Sequence, residues 1–402
     1  MINLKRIPGI LYQRRRVSVA VICTSLVIYY LFKFGIVCTN IEIWSYVSKL
    51  CQLHRDGKAV GSLCKPLCTD GTIESVSCYA FHVGKEAVFS AEWQGTKMVF
   101  KSPRSQPDVD PVHWVSHDGR RQYPDEQQFQ SMVRELVASR LNLSTSSDQL
   151  KRISHLGVSK AAESSVARHE EMDNVWALLH DNEYLLSVLY SDRGVFPQLL
   201  GTCGTLFAVE YVRPVESAAR MFSVSEGRNE WASRLRLASM MLDLLEEVEV
   251  NFPEPFSLCD VKMGHFGVTA DGQRLKFLDL DSVFPRTVAN RVAADGSACE
   301  RDEDCDFFDC RSRCGPSRVC DAPVVNNNHQ VVCEKIFLGW ALSGATLVPG
   351  LLVSRHTPST LAVLLRMCAS PDSGTAPPDD VKRRLYALLT ELLQALGNEE
   401  FL

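Results

Sequence analysis

The distribution of cysteines is the feature that most constrains how this chain folds. Of its 15 cysteines, all but Cys23 follow an apolar run at residues 17–37 that only Lys33 interrupts. As a helix this run would be about 31 Å long, which is enough to cross a bilayer. The even number of cysteines beyond it is typical of disulfide bonds formed in an oxidising compartment. The candidates are Cys38, Cys51, Cys64, Cys68, Cys78, Cys203, Cys259, Cys299, Cys305, Cys310, Cys314, Cys320, Cys333 and Cys368.

The charges before the apolar run predict its orientation. Lys5, Arg6 and residues 14–16, all arginine, precede it without any acidic residue. By the positive-inside rule, residues 1–16 form a cytosolic tail, residues 17–37 a type II transmembrane signal anchor, and the bulk of the chain is lumenal. A cleaved signal peptide is the alternative, which the length of the run and the lack of an A-x-A site disfavour. The arginines are either a retention signal of the early secretory pathway or topogenic charge.

The charge of the lumenal part limits its partners. Residues 1–37 hold six of the 43 Lys and Arg residues and none of the 48 acidic residues, so the rest carries about −11. This excess argues against a nucleic acid partner. The membrane and an unknown secretory protein or glycan are the expected partners, in the endoplasmic reticulum or the Golgi. Asn142-Leu-Ser144 is an N-glycosylation sequon, although such triplets also occur by chance.

The lumenal part divides into a cap and two lobes. Residues 38–78 predict a disulfide-stapled cap; zinc is the poorer alternative, because C-x3-C with scattered partners is poor zinc spacing. Residues 79–212 begin with strands and residues 213–402 are mostly helical, which favours a two-lobed α+β fold. The predicted elements are a hairpin around Gln94-Gly95, helices at Glu126–Leu141 and Met172–Tyr190, strands near 199–200 and 206–212, and helical runs at 229–250, 334–345 and 379–396.

Two consecutive loops carry residues with the spacing that phosphoryl transfer requires. Asp260 and Lys262 lie on one loop, and Asp279 ends an apolar strand 19 residues after Asp260. A kinase supplies a carboxylate at the acceptor hydroxyl, a cation near the moving phosphoryl group and a second carboxylate for the metal. We therefore predict Asp260 and Lys262 as catalytic residues and Asp279 as a metal ligand.

A lysine and a glutamate upstream complete the kinase order. Lys101 ends the strand Met98-Val-Phe-Lys101, and Glu183 lies on a following helix. In kinases such a lysine binds the nucleotide phosphates and is held by the glutamate. A solvated glutamate and an exposed lysine are the ordinary alternatives, and Glu126 and Glu171 are weaker candidates for the acidic partner.

With these motifs in this order, the chain resembles the divergent protein kinase domain 1 family. Its members are cysteine-rich, kinase-like proteins anchored in the endoplasmic reticulum membrane with type II topology. The resemblance covers nearly the whole chain and implies a protein-kinase-like, lumenal α+β domain with a disulfide-rich cap and insert, tethered by one transmembrane helix. The motifs that carry it are Trp176-Ala-Leu-Leu, Asn182-Glu183, Leu200-Gly-Thr-Cys-Gly204, Cys259-Asp-Val-Lys262, Asp279-Leu-Asp281, Cys305-Asp-Phe-Phe-Asp-Cys310 and Val325-Asn-Asn-Asn328.

The resemblance gives Lys101, Glu183, Asp260 and Asp279 the roles described above. It also places the cysteines of residues 299–333 where a soluble kinase has its activation segment. Cross-linking would make that segment rigid and unsuited to a phosphorylation switch. Cys259 is expected to be structural, since no adjacent histidine could activate it.

Four departures from an active kinase keep two functions open. Gly84 is the single glycine of the phosphate-binding loop, Leu258-Cys259 replaces His-Arg, His265 replaces the metal-binding Asn, and Asp281 replaces the glycine of D-F-G. Magnesium prefers oxygen ligands whereas imidazole suits manganese, so we expect ATP with Mg²⁺ or Mn²⁺ if His265 binds metal. The chain is either a kinase acting on a protein or glycan hydroxyl or an inactive pseudokinase serving as a binding module.

Calcium binding is not expected. The family carries an EF-hand-like insert, which here falls at about residues 143–172. Residues 160–171 lack the calcium-ligand set and keep only Glu171 at its end. The acidic residues between 302 and 309 could bind calcium instead, but a solvated face on a disulfide knot is the more ordinary interpretation.

Overall fold

The computed structural model describes residues 39–79, 84–104, 109–157, 165–215, 227–342, 345–370 and 377–399. The predicted tail, the signal anchor at 17–37 and Cys38 lie outside these residues. Among the helices that the structure describes, none is both long and apolar enough to span a membrane.

The chain forms eleven named helices and fourteen strands within the described residues. The first half contains α1 Asn40–Arg55, α2 Cys64–Cys68, β1 Ile73–Cys78, β2 Lys85–Trp93, β3 Thr96–Pro103, β4 Trp114–Val115, β5 Arg121–Gln122, α3 Glu126–Leu141, α4 Ser147–Ile153, α5 Ser165–Leu179, α6 Asn182–Leu189, β6 Leu199–Cys203 and β7 Leu206–Glu210. The second half contains β8 Arg213–Pro214, α7 Arg228–Val250, β9 Phe256–Leu258, β10 Phe266–Val268, β11 Leu275–Phe277, β12 Val283–Pro285, α8 Arg286–Ala293, α9 Asn328–Val332, β13 Gly339–Leu342, β14 Ala345–Pro349, α10 Ser359–Ala369 and α11 Pro378–Glu399.

A five-stranded antiparallel sheet organises the N-terminal lobe, with the strand order β1-β2-β3-β7-β6. The predicted hairpin around Gln94-Gly95 is confirmed as β2 and β3. Both turn residues have positive φ, 52° and 75°. Such a turn matches the twist of the flanking strands, which is why the dipeptide favours a hairpin here.

The cap packs against one face of this sheet. Ile43, Val47 and Leu50 of α1 are buried in a cluster with Phe89 and Phe100 of the sheet. The disulfide bond Cys51–Cys68 joins the two cap helices, Cys64–Cys203 ties the cap to β6, and Cys78 is also disulfide-bonded. Strand β1 lies within the predicted cap of residues 38–78 but is the edge strand of the sheet. The cap and the sheet share one apolar core.

The opposite face of the sheet packs on helices that lead to the cleft. The prediction of one helix at Met172–Tyr190 is wrong, because α5 ends at Leu179 and α6 begins at Asn182. The Asp181 side chain accepts a hydrogen bond from the Tyr184 N–H at 2.9 Å. An aspartate that caps a new helix in this way competes with continuation of the old one.

The C-terminal lobe is built on α7 and α11, which confirm the predicted helices at 229–250 and 379–396. The helical run predicted at 334–345 extends only to Leu338, because Gly339 has a φ of 86° and the β13–β14 hairpin follows. Helix α10 was not among the predicted elements. The disulfide bond Cys333–Cys368 joins α10 to the helical segment that follows α9.

The sequon residue Asn142 is exposed and ends α3 with a left-handed φ of 50°. Its amide nitrogen lies 3.2 Å from the Thr287 hydroxyl. The side chain is thus accessible at the surface, as a glycan acceptor must be.

Candidate active site

The loop after β9 carries the predicted catalytic residues into the cleft between the lobes. Lys262 donates to the Asp260 carboxylate at 2.9 Å, with side-chain exposures of 61% and 20%. Leu258 N–H donates to the Asn328 side chain, which in turn donates to the Phe256 carbonyl. The amide of Asn328 therefore fixes the strand from which Asp260 projects.

A disulfide bond and a buried aspartate hold the same loop from the other side. Cys259 is bonded to Cys310, and the neighbouring Asp309 accepts from the Val261 N–H at 2.7 Å. Lys335 donates to both oxygens of Asp309, at 2.9 and 2.8 Å. The motif Cys305–Cys310 thus scaffolds the Asp260 loop. The pairs Cys299–Cys314 and Cys305–Cys320 cross-link the rest of the segment.

His265 and Asp279 lie beside Asp260. The Nδ1 atom of His265 is 2.9 Å from the Asp260 carbonyl oxygen, and its Nε2 atom is 3.3 Å from Asp279. A carbonyl only accepts, so Nδ1 carries a proton. Nε2 donates to Asp279 when the ring is protonated, and in the neutral tautomer it offers its lone pair to a metal. The ligand atoms of Asp260, His265 and Asp279 lie within 4.8 Å of one another. A shared cation would bridge these acceptors, and the mixed nitrogen and oxygen set suits Mn²⁺.

The predicted pair of Lys101 and Glu183 is formed on the N-terminal-lobe wall of the cleft. Lys101 on β3 donates to the Glu183 carboxylate on α6, and its Nζ atom also lies 3.4 Å from the Leu278 carbonyl. Burial raises the pKa of Glu183, and the charges of Lys101 and Lys85 act in the opposite direction. Gly84 precedes β2, and its carbonyl accepts from the Arg104 N–H at 3.2 Å.

Lys85 also enters the cleft, and the sequence did not reveal it. Its Nζ atom lies 2.5 Å from Asp181, 2.7 Å from Asp281 and 3.3 Å from Glu183. The register of β2 shifts between Lys85 and Ala87. Because a bulge turns the next side chain to the opposite face, it directs Lys85 away from the cap and into the cleft. The only sequence signal near Lys85 is the single glycine Gly84, which predicts no more than a weak phosphate-binding loop.

The two weaker candidates for the acidic partner of Lys101, Glu126 and Glu171, bind an arginine instead. Arg168 donates to both Glu126 and Glu171, and Glu171 also accepts from the Leu156 N–H. Backbone N–H groups likewise bind the acidic segment: Asp302 accepts from Cys314, Asp304 from Glu300 and Arg301, and Asp306 from Ser312. These carboxylates serve local structure.

Two family models match the chain. One, described as "N-term cysteine-rich ER, FAM69", covers residues 11–155, and the other, "Protein-kinase domain of FAM69", covers residues 175–371. Together they span most of the sequence and agree with the cap, the sheet and the Asp260 loop described above. The fold is therefore protein-kinase-like.

Two solved kinase domains show weak structural similarity to this chain. The BubR1 kinase domain has a TM-score of 0.36 and 11% identity, with 81% of this chain and 82% of that chain covered. The PknI kinase domain of Mycobacterium tuberculosis has a TM-score of 0.34 and 11% identity, with 80% and 97% covered. At these scores the likeness adds nothing to the family assignment.

Proposed function

Because the chain belongs to the FAM69 family of cysteine-rich, kinase-like proteins, we propose that it transfers phosphate from ATP to a hydroxyl of a secretory protein or glycan. The observation that carries this proposal is the convergence of Asp260, His265 and Asp279, whose ligand atoms lie within 4.8 Å of one another. The ion pair of Lys101 with Glu183 lies on the opposite wall of the same cleft.

Each side chain then has one task. Asp260 orients the acceptor hydroxyl and takes its proton late in transfer, while Lys262 stabilises the charge on the moving phosphoryl group. Lys101, held by Glu183, contacts the nucleotide phosphates, with Gly84 at the turn before β2. His265 and Asp279 bind the metal. When bound, ATP with Mn²⁺ or Mg²⁺ supplies the phosphoryl group and the cation that neutralises it.

The proposed location is the lumenal face of the endoplasmic reticulum membrane. The model of residues 11–155 is described as a cysteine-rich endoplasmic reticulum region. The 13 described cysteines are all disulfide-bonded, which is expected of an oxidising compartment. A type II anchor at residues 17–37 would tether the domain there, and Asn142 would be accessible to glycosylation.

A thermal-shift measurement tests the nucleotide site. The full chain, purified in a mild detergent, is heated with ATP and either Mn²⁺ or Mg²⁺. We expect a higher melting temperature with ATP and Mn²⁺, and no shift in Asp279→Ala. If neither nucleotide nor metal moves the wild-type transition, the proposal is lost.

Phosphate incorporation tests the reaction itself. Labelled ATP is incubated with the full chain and with secretory proteins or glycans as acceptors. We expect incorporation that is lost in Asp260→Asn, a variant that retains the size of the side chain. Nucleotide binding without incorporation would favour the second candidate.

That second candidate is a pseudokinase serving as a lumenal binding or scaffolding module. The observation in its favour is that Lys85 fills the space between Asp181, Glu183 and Asp281. Leu258 and Cys259, in place of the His-Arg pair, favour it as well. In this case nucleotide would stabilise the fold, or leave it unchanged, without phosphate transfer.

A further inference from the structure

Lys85 is held in the cleft by the backbone of β2. The shifted register at Lys85 and Ala87 places Lys85 opposite Pro103 of β3, beside the turn that contains Gly84. Its side chain is 1% exposed, so the ammonium group has exchanged water for protein contacts. Such a buried ammonium is stable only where carboxylates surround it.

The carboxylates around Lys85 are arranged as they would be around a metal ion. Ligand oxygens of Asp181, Glu183 and Asp281 lie within 4.8 Å of one another. The Nζ atom of Lys85 lies 2.5 to 3.3 Å from all three. Three anions at this separation repel strongly in a low-dielectric site, so the position requires a cation.

The three anions come from elements that a kinase must bring together. Asp181 and Glu183 belong to the start of α6, and Asp281 follows Asp279 by two residues. Lys85 therefore links the strand after the phosphate loop to the metal-binding segment. The ion pair of Glu183 with Lys101 joins this cluster to β3.

The ammonium group remains charged in this position. Burial by itself lowers the pKa of Lys85, but Glu183, Asp181 and Asp281 together raise it well above its ordinary value. The cation is therefore present throughout the physiological pH range. It belongs to the chain, so it neither dissociates nor exchanges with solvent ions.

We propose that Lys85 is a built-in cation that occupies a carboxylate site otherwise suited to a divalent metal, so that the cleft binds metal only at Asp260, His265 and Asp279. The part of the proposal that places Lys85 in the carboxylate site does not depend on catalytic activity. The statement about the remaining metal site rests on the proposed function.

Counting bound Mn²⁺ tests the proposal. The full chain is titrated with Mn²⁺ without nucleotide, and free Mn²⁺ is measured by electron paramagnetic resonance. We expect Lys85→Ala to bind one more ion per chain than the wild type, because the vacated carboxylates bind it. Lys85→Ala/Asp281→Asn is expected to lose that additional ion again. Lys58→Ala, which changes an exposed lysine, is the control and is expected to match the wild type.

The outcomes separate the two proposals. An ion that the wild type binds and Asp281→Asn loses, or no additional ion in Lys85→Ala, would overturn the role of Lys85. Asp279→Asn is expected to abolish the ion of the wild type. A wild type without bound Mn²⁺ would count against the metal site of the proposed function, while the ion gained in Lys85→Ala would still support the built-in cation.

A stability measurement covers the case in which Lys85→Ala folds poorly. The melting temperature of Lys85→Ala is followed as Mn²⁺ is added, beside Lys85→Gln, which retains most of the side-chain volume. We expect Mn²⁺ to raise the melting temperature of both variants by more than it raises that of the wild type, which binds Mn²⁺ only at Asp260, His265 and Asp279. If Mn²⁺ stabilises neither variant by more than the wild type, the carboxylates do not form a cation site and the inference is wrong.

Discussion

Two carboxylate clusters face the same cleft, and they differ in what neutralises them. Asp181, Glu183 and Asp281 surround the Lys85 ammonium group. The side chains of Lys85, Glu183 and Asp181 are 1%, 2% and 7% exposed, whereas that of Asp281 is 26% exposed at the rim. We call these residues the closed cluster. Asp260, His265 and Asp279, the open cluster, have side-chain exposures of 17 to 20%. Lys262 is the lysine beside the open cluster. Its side chain is largely exposed to solvent, and its described ion pair is with Asp260.

The difference in how the two clusters are neutralised follows from the cost of removing charged groups from water. A buried group of carboxylates destabilises the fold unless a cation is always present, and a lysine on the same chain is always present. A partly exposed group can remain solvated until a metal arrives. We therefore expect the closed cluster to determine stability and the open cluster to determine binding.

The largest effect is expected from removing the lysine of the closed cluster. Lys85→Ala removes the counter-charge of the buried Asp181 and leaves the buried Glu183 with Lys101 alone, so the free energy of unfolding should fall by about 3–5 kcal/mol. Asp279→Asn in the open cluster should change it by about 1 kcal/mol or less. Urea unfolding with the disulfides intact measures both. Equal losses in the two variants would remove the distinction between the clusters.

The open cluster depends on covalent support instead, which a second variant tests. Cys259→Ser/Cys310→Ser opens a loop with a sequence separation of 51 and should lower the free energy of unfolding by about 2–4 kcal/mol. Mn²⁺ affinity should also fall, because Asp260 directly follows Cys259. The matched control is Cys299→Ser/Cys314→Ser, which removes a bond with a separation of 15 in the same segment. Its Mn²⁺ affinity should stay at the wild-type value; a similar fall in both would show a general loosening.

A third variant changes the metal preference of the open cluster and leaves the closed cluster alone. His265→Asn exchanges an imidazole nitrogen for an amide oxygen, so Mn²⁺ should bind about tenfold more weakly while Mg²⁺ binding is kept. Isothermal titration with each metal measures the change. His117→Asn, at an exposed histidine, should alter neither affinity. Unchanged Mn²⁺ binding in His265→Asn would exclude His265 as a ligand.

The open cluster could be predicted from the sequence because its residues lie at the ends of short strands. Asp260 follows β9, His265 precedes β10 and Asp279 follows β11. His265 and Asp279 lie at the same end of the antiparallel pair β10–β11, whereas Asp260 comes from β9, which pairs with β12. Lys101 and Glu183 can be predicted from their order alone, a strand lysine followed by a helix glutamate, although β3 continues past Lys101 to Pro103.

The closed cluster could not be predicted, because both of its unexpected members depend on irregular backbone. Strict alternation along β2 places Lys85 on the same face as Ala87 and Phe89, towards the cap. The register shift reverses that direction. Asp181 falls in the middle of the single helix predicted at Met172–Tyr190, whereas in the structure its side chain caps α6. The cysteine pairing was likewise beyond reach, since composition does not determine connectivity.

The smallest change in stability is expected at the edge of the open cluster. Lys262 is 61% exposed and its pair with Asp260 is solvated, so Lys262→Ala should alter the free energy of unfolding by less than about 1 kcal/mol. If the chain transfers phosphate, the rate should nevertheless fall strongly, because the ammonium group stabilises charge that develops only in the transition state. Lys262→Arg retains the charge and should restore part of the rate. A fall in rate that follows lost stability would instead place Lys262 with the structural lysine of the closed cluster.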